Sequence, residues 1–161
     1  MKKFFFVLIA TSLFLPVSLR AGSLDYKTLG VGLEIGEPIG LNGRYFFTDQ
    51  IAFDLTVGYA PIDGIIEFTP SALVYLRRIF EMDGSGFTLI PYFGGGMRTG
   101  PGVARLHDGE WFGAFRIPIG AAVVIGDGTF EITAEMGHGF EFTPHTVYDV
   151  TGTLGLRYYL W

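Results

Sequence analysis

Eleven charged residues stand at alternate positions within otherwise apolar stretches: Glu34, Arg44, Asp54, Glu67, Arg77, Arg98, Arg116, Glu131, Glu135, Asp149 and Arg157. Six are acids and five are bases, so the set is close to neutral. Enclosed in a narrow interior, such groups must pair or be hydrated, because an unpaired buried charge is costly. Paired, they form a structural ion-pair plug. Lining open water, they would make a gated ion path or a narrow pore. The plug is the favoured reading and the channel its alternative.

Acyl-ester hydrolysis is the second chemistry to weigh. It needs a histidine, a serine and an acid within hydrogen-bond reach. His138 with Glu135, or His145, supplies two of the three parts. A His-x-Ser pair is absent, since Phe140 stands two residues after His138, and Ser71 and Ser85 are the serines left beyond the N-terminus. His138 therefore reads as an interfacial residue and His145 as a solvated one. His107, His138 and His145 lie near the expected extracellular ends, where a metal site is conceivable but the spacing is unspecific; no metal, cofactor or catalytic residue is expected. There is no cysteine, hence no disulfide and no thiol ligand.

The elements that position these residues are strands. From Val150 to Leu160 every second residue is apolar or glycine, while Asp149, Thr151, Thr153, Gly155, Arg157 and Tyr159 lie between them. Period two gives a strand with two unlike faces. The same alternation predicts strands over Thr28–Gly36, Gly40–Phe47, Ile51–Tyr59, Ile65–Arg77, Phe87–Arg98, Trp111–Ile125, Phe130–Phe140 and Tyr148–Leu160. Phe115, Ile117, Ile119, Ala121, Val123 and Ile125 give the cleanest apolar face. Between Phe87 and Arg98 the phase is set by Phe93 and Met97 outward, Tyr92 and Arg98 inward. Pro70 predicts a bulge or local break. All the charged residues named above fall on the face opposite the apolar one.

Eight antiparallel strands with a continuous apolar face predict an all-β, up-and-down transmembrane β-barrel. The sheet must close, because an unpaired edge in lipid leaves backbone groups without partners. Both termini then lie on one side, the periplasmic one. The turns at 48–50, 78–86 and 126–129 join them there, and the connections at 37–39, 60–64, 99–110 and 141–147 are extracellular.

Met1-Lys2-Lys3 followed by the apolar run Phe4–Leu15 reads as a signal peptide, too short to span a bilayer, with cleavage after Ala21. That makes residues 1–21 the signal and 22–161 one barrel domain. Cleavage removes Lys2, Lys3 and Arg20 and moves the formal charge from −5 to −8, which argues against a nucleic-acid partner. The 24 glycines, the many phenylalanines and the positive mean hydropathy fit a membrane barrel. Tyr45, Phe47, Tyr59, Trp111, Phe140, Tyr148 and Tyr158 sit near strand ends, as an aromatic girdle would.

The stretch Gly30-Val31-Gly32-Leu33-Glu34-Ile35-Gly36-Glu37-Pro38-Ile39-Gly40 resembles the GEP-x-G opening of a family of small, uncharacterised outer-membrane barrels. That family is known from spirochaetes and other bacteria and resembles the OmpA transmembrane domain. Tyr92-Phe93-Gly94-Gly95-Gly96-Met97-Arg98 and the ending Gly155-Leu156-Arg157-Tyr158-Tyr159 match it too. The resemblance implies the barrel and its outer-membrane location, and it offers no catalytic residues. Members end on a phenylalanine that aligns with Leu160, so Trp161 is an extra residue, out of phase with the lipid face. The expected partners are outer-membrane lipid, the barrel-assembly machinery through the C-terminal strand, and an external protein through the 99–110 loop. The expected role is non-enzymatic, structural or surface-interacting. A porin-like channel and a lipid A-modifying enzyme are the alternatives.

Overall fold

The computed structural model describes residues 28–76, 80–81, 86–103, 109–126 and 128–160. Among the described residues nine strand segments follow one another: β1 (Leu29–Gly36), β2 (Ile39–Phe46), β3 (Ile51–Ala60), β4 (Ile65–Tyr75), β5 (Phe80–Glu81), β6 (Phe87–Pro101), β7 (Trp111–Ile125), β8 (Phe130–Thr143) and β9 (Val147–Tyr159). Each is antiparallel to its neighbours. β5 continues along the same partner that β4 uses, with Tyr75 opposite Tyr92 and Phe80 opposite Leu89 on β6. The nine segments are therefore eight staves. β1 pairs with both β2 and β9, and β4 with both β3 and β6, so the sheet closes on itself, with no helix among the described residues.

The register fixes the shape. Residues facing one another across successive strands run Gly30, Arg44, Asp54, Ser71, Gly96, Arg116, Gly139 and Asp149 round the wall. The direct partner of Gly30 on β9 is Tyr159, ten residues further along. A stagger of this kind tilts the strands, and eight of them leave an interior just wide enough for side chains to fill it.

The alternation seen in the sequence becomes an inside and an outside. On β7, Phe115, Ile117 and Ile119 are 60%, 57% and 55% exposed, whereas Ala114 and Arg116 are 0% and 6% exposed. Leu33, Leu41, Leu154 and Val150 are likewise exposed, while Arg44, Arg98, Arg157, Glu67 and Glu131 are buried. This inverts the arrangement of a water-soluble protein. Phe93 and Met97 point out, Tyr92 and Arg98 in, and all seven girdle aromatics named above are exposed.

Several boundaries differ from the sequence expectation. β4 runs straight through Pro70, which stays opposite Leu55 without a register shift. The proline's effect is a gap in the β4–β6 ladder between Phe68–Thr99 and Ser71–Gly96, since it has no N–H to donate. The bulge lies elsewhere. Gly113 faces Thr143 but Ala114 faces Glu141, so Phe142 is the extra residue. β8 extends to Thr143 and β9 begins at Val147, which shortens the last connection to 144–146. β6 continues to Pro101, so the long connection starts later than Thr99. Arg77, His107, Ser85, Trp161 and the signal region lie outside the described residues.

Candidate functional site

Because every inward position on a strand shares the lumen with seven other staves, side-chain length decides what meets what. Small residues make the room. A Cβ on Gly30 would stand 2.6 Å from the Tyr159 ring, and one on Gly120 would stand 2.5 Å from the Tyr92 ring. The large tyrosines of one strand therefore lie across glycines of the next.

Near the end where β1 begins and β9 finishes, five charged residues interlock. Arg44 donates from Nε to Asp54 Oδ2 at 2.6 Å and from Nη1 to Glu131 Oε1 at 3.0 Å. Arg157 donates to the same Glu131 oxygen at 2.9 Å and to Glu34 Oε1 at 2.7 Å. Its Nε also donates to Asn42 Oδ1. Asn42 Nδ2 passes the connection on to Asp54 and Thr56, each at 2.8 Å, and Thr56 donates to Glu34 at 2.8 Å. The Tyr159 hydroxyl donates to the second Glu131 oxygen at 3.1 Å, and Arg44 Nη1 donates to the Tyr75 hydroxyl. The Arg44 guanidinium carbon lies 5.2 Å from the Tyr92 ring centroid and 5.6 Å from that of Tyr75, a favourable cation–aromatic placement. Phe46, Tyr75, Tyr92 and Tyr159, with Leu73, Ile90 and Val124, form one buried apolar cluster below the charges.

Higher in the lumen, Arg116 Nη2 reaches Glu135 Oε1 at 2.5 Å. Towards the opposite, distal end, Arg98 grips Glu67 with two parallel bonds of 2.9 and 2.8 Å. It also reaches Asp149 at 2.5 Å and Asp63 at 3.0 Å. Its guanidinium carbon lies 5.1 Å from the Phe112 ring centroid. Such two-point carboxylate contacts are the stronger kind.

The structure thus places ten of the eleven candidate charges in the lumen in ion pairs, the exception being Arg77, which is outside the described residues. Sequence reasoning missed Asp63, assigned to a loop, because the 61–64 turn folds back over the mouth. The Glu37 carboxylate accepts from the Ile62 N–H at 3.1 Å and the Asp63 N–H at 3.3 Å, which holds that turn in place. Asn42, Tyr75, Tyr92 and Tyr159 were all on the inward phase, yet nothing in their spacing distinguished a hydrogen-bond partner from a filler.

The hydrolytic arrangement does not assemble. Glu135 points into the lumen at Arg116, while His138 is on the other face of β8 with Nδ1 2.8 Å from the Tyr148 hydroxyl. Residues three apart on a strand face opposite ways. Ser71 is buried in the lumen and His145 is exposed.

No protein-family model matches the chain, and no curated protein does. Among solved structures, it is similar to the crystal structure of the N-terminal β-barrel domain of Pseudomonas aeruginosa OprF, with a TM-score of 0.54. The chain has that fold. The likeness covers 83% of this chain and 97% of that one at 14% identity, so it speaks to the fold alone.

Proposed function

We propose that this chain is an outer-membrane barrel, made with a signal peptide at residues 1–21, whose lumen is plugged by its own side chains. Its role is non-enzymatic, structural or surface-interacting. The observation that carries the reading is the inversion: apolar side chains ring the outside of a closed barrel while arginines and carboxylates are paired within. Along its membrane-spanning height a closed barrel satisfies its ladder hydrogen bonds internally, which is what a hydrocarbon environment demands. In this orientation both ends of the sheet's seam, Leu29 and Tyr159, are periplasmic, and the mouth around Arg98 faces outward. Outer-membrane lipid surrounds the apolar belt, the assembly machinery engages the C-terminal strand, and an external protein binds through the 99–110 loop. The acidic mature chain disfavours nucleic acid.

Membrane fractionation with gel migration tests this. The chain is expected in the outer-membrane fraction, migrating differently before and after boiling. Recovery as a soluble periplasmic protein would overturn the reading.

A further inference from the structure

The barrel wall is lower on one side. β1 makes its last pair with β9 at Gly36–Thr153, and the Glu37 N–H donates to the Gly152 carbonyl at 3.0 Å. β9 stays paired with β8 as far as Val147, opposite Glu141. β2 begins only at Ile39, so a notch two strands wide separates the top of β9 from β3. Residues 147–151 are therefore joined to the sheet along one edge only.

Alternation decides which backbone groups are open. The Gly152 carbonyl and the Leu160 N–H both bond towards β1, while the Tyr159 N–H bonds to Thr129 at the foot of β8. Even-numbered residues of β9 thus turn their N–H and C=O towards β1, and odd-numbered ones towards β8. Above Gly152 the even residues are Val150 and Tyr148. Among the described residues, no backbone group meets theirs on the β1 side. An unpaired N–H is not stable in hydrocarbon, so this edge stands clear of the bilayer core.

The two sides of the edge differ chemically. Outward lie the exposed Val150 and Tyr148, with the Phe140 ring 5.3 Å from that of Tyr148. Inward, Glu37, Asp63, Glu67, Glu141 and Asp149 surround the mouth, with Arg98 as the base among the described residues. Two copies paired edge to edge would bring their acids together. A chain with apolar residues on one face and basic residues on the other would not.

We propose that the open edge of β9 docks an extended peptide segment of another protein. The segment adds as a strand through the N–H and C=O groups of Val150 and Tyr148, the mode in which backbone bonds give affinity and alternate side chains give specificity. Its apolar side chains lie beside Tyr148 and Phe140, and its lysines or arginines face the acidic mouth. This rests on the outer-membrane reading, which places the mouth outside the cell.

The test uses the full chain refolded in detergent micelles and a blocked peptide of alternating lysine and valine. Amide exchange at Tyr148 and Val150 is expected to slow roughly tenfold when the peptide is at ten times its Kd. The same peptide N-methylated at alternate residues should give no slowing. A Val150→Pro chain, in which proline removes one of the two open N–H groups while the odd residues keep their bonds to β8, should show clearly weaker slowing at Tyr148. Unslowed exchange in a sample whose gel shift shows a folded barrel overturns the proposal. So does equal slowing by the N-methylated peptide. Slowing that grows with protein concentration and needs no peptide also overturns it, assigning the edge to a second copy. Absence of the chain from outer membranes would instead remove the parent reading, and it is measured separately.

Discussion

At the terminal end of the lumen, Arg44 and Arg157 share one oxygen of Glu131, at 3.0 and 2.9 Å, with no exposure at any of the three side chains. At the distal end, Arg98 divides itself among Glu67, Asp63 and Asp149, and the two aspartates each keep 18% of the side chain exposed. The first cluster is sealed by tyrosines that also bond to it. The second is open to the mouth and carries more acid than base among the described residues. Buried pairs give little net stability but punish the loss of one member, whereas exposed carboxylates can regain water. The terminal cluster should therefore behave as a rigid stopper and the distal one as a tolerant, negatively charged rim.

Breaking the stopper should have the largest effect. Arg157→Met leaves Glu34 and Glu131 without that cation and should cost about 3–5 kcal/mol. Adding Glu131→Gln should recover a large part of it, which urea unfolding in micelles would read. A double variant as unstable as the sum of the singles would contradict the shared-carboxylate geometry.

The lipid face comes next. Ile119→Arg should cost about 2–4 kcal/mol if it sits near the bilayer midplane. Gly120→Arg should instead prevent assembly by crowding Tyr92. A folding titration that tolerates arginine equally at Ile117, Ile119 and Val123 would reject the inside-outside assignment.

At the rim, Asp149→Asn should cost less than Arg157→Met, about 1 kcal/mol or below, since Asp149 is 18% exposed and Arg98 keeps Glu67 and Asp63. A loss equal to that of Arg157→Met would erase the distinction between the two ends.

Glu37 should show the smallest effect. It lies outside the strands, and burial raises its carboxyl pKa above the ordinary value, partly offset by the Ile62 and Asp63 N–H groups. A raised carboxyl favours the folded state when protonated. Its contribution is present below the unfolded pKa and is lost as pH rises through the folded one. Protection of the Ile62 and Asp63 amides, corrected for intrinsic exchange, should therefore fall modestly as pH rises above the ordinary carboxyl range, about pH 4. Glu37→Gln should flatten that dependence while changing stability by less than about 0.5 kcal/mol.

The fold was legible because two faces alternate so cleanly. The strand from Phe115 to Ile125 gives inside and outside by inspection, and even around Pro91 and the Gly94–Gly96 run the phase of Phe93, Met97, Tyr92 and Arg98 agrees with the barrel. Which arginine meets which acid was not legible. Arg44 on β2 and Glu131 on β8 meet only because the ten-residue stagger brings them level and long side chains cross the lumen. The 61–64 turn was hidden for a related reason: Asp63 acts from a loop that folds inward, held by a carboxylate on the neighbouring turn. The extension of β8 through Phe142 escaped because a bulge, not the alternation, carries the strand onward there.

Single-channel recording in planar bilayers tests the plugged lumen most directly. With Arg44, Arg157, Glu34, Asp54 and Glu131 interlocked across the bore, the parent chain should pass negligible current, with discrete openings appearing only after Arg157→Met. Steady conductance by the unmodified chain, with ion selectivity that follows changes at Arg116 or Glu135, would contradict the plug and replace it with a pore.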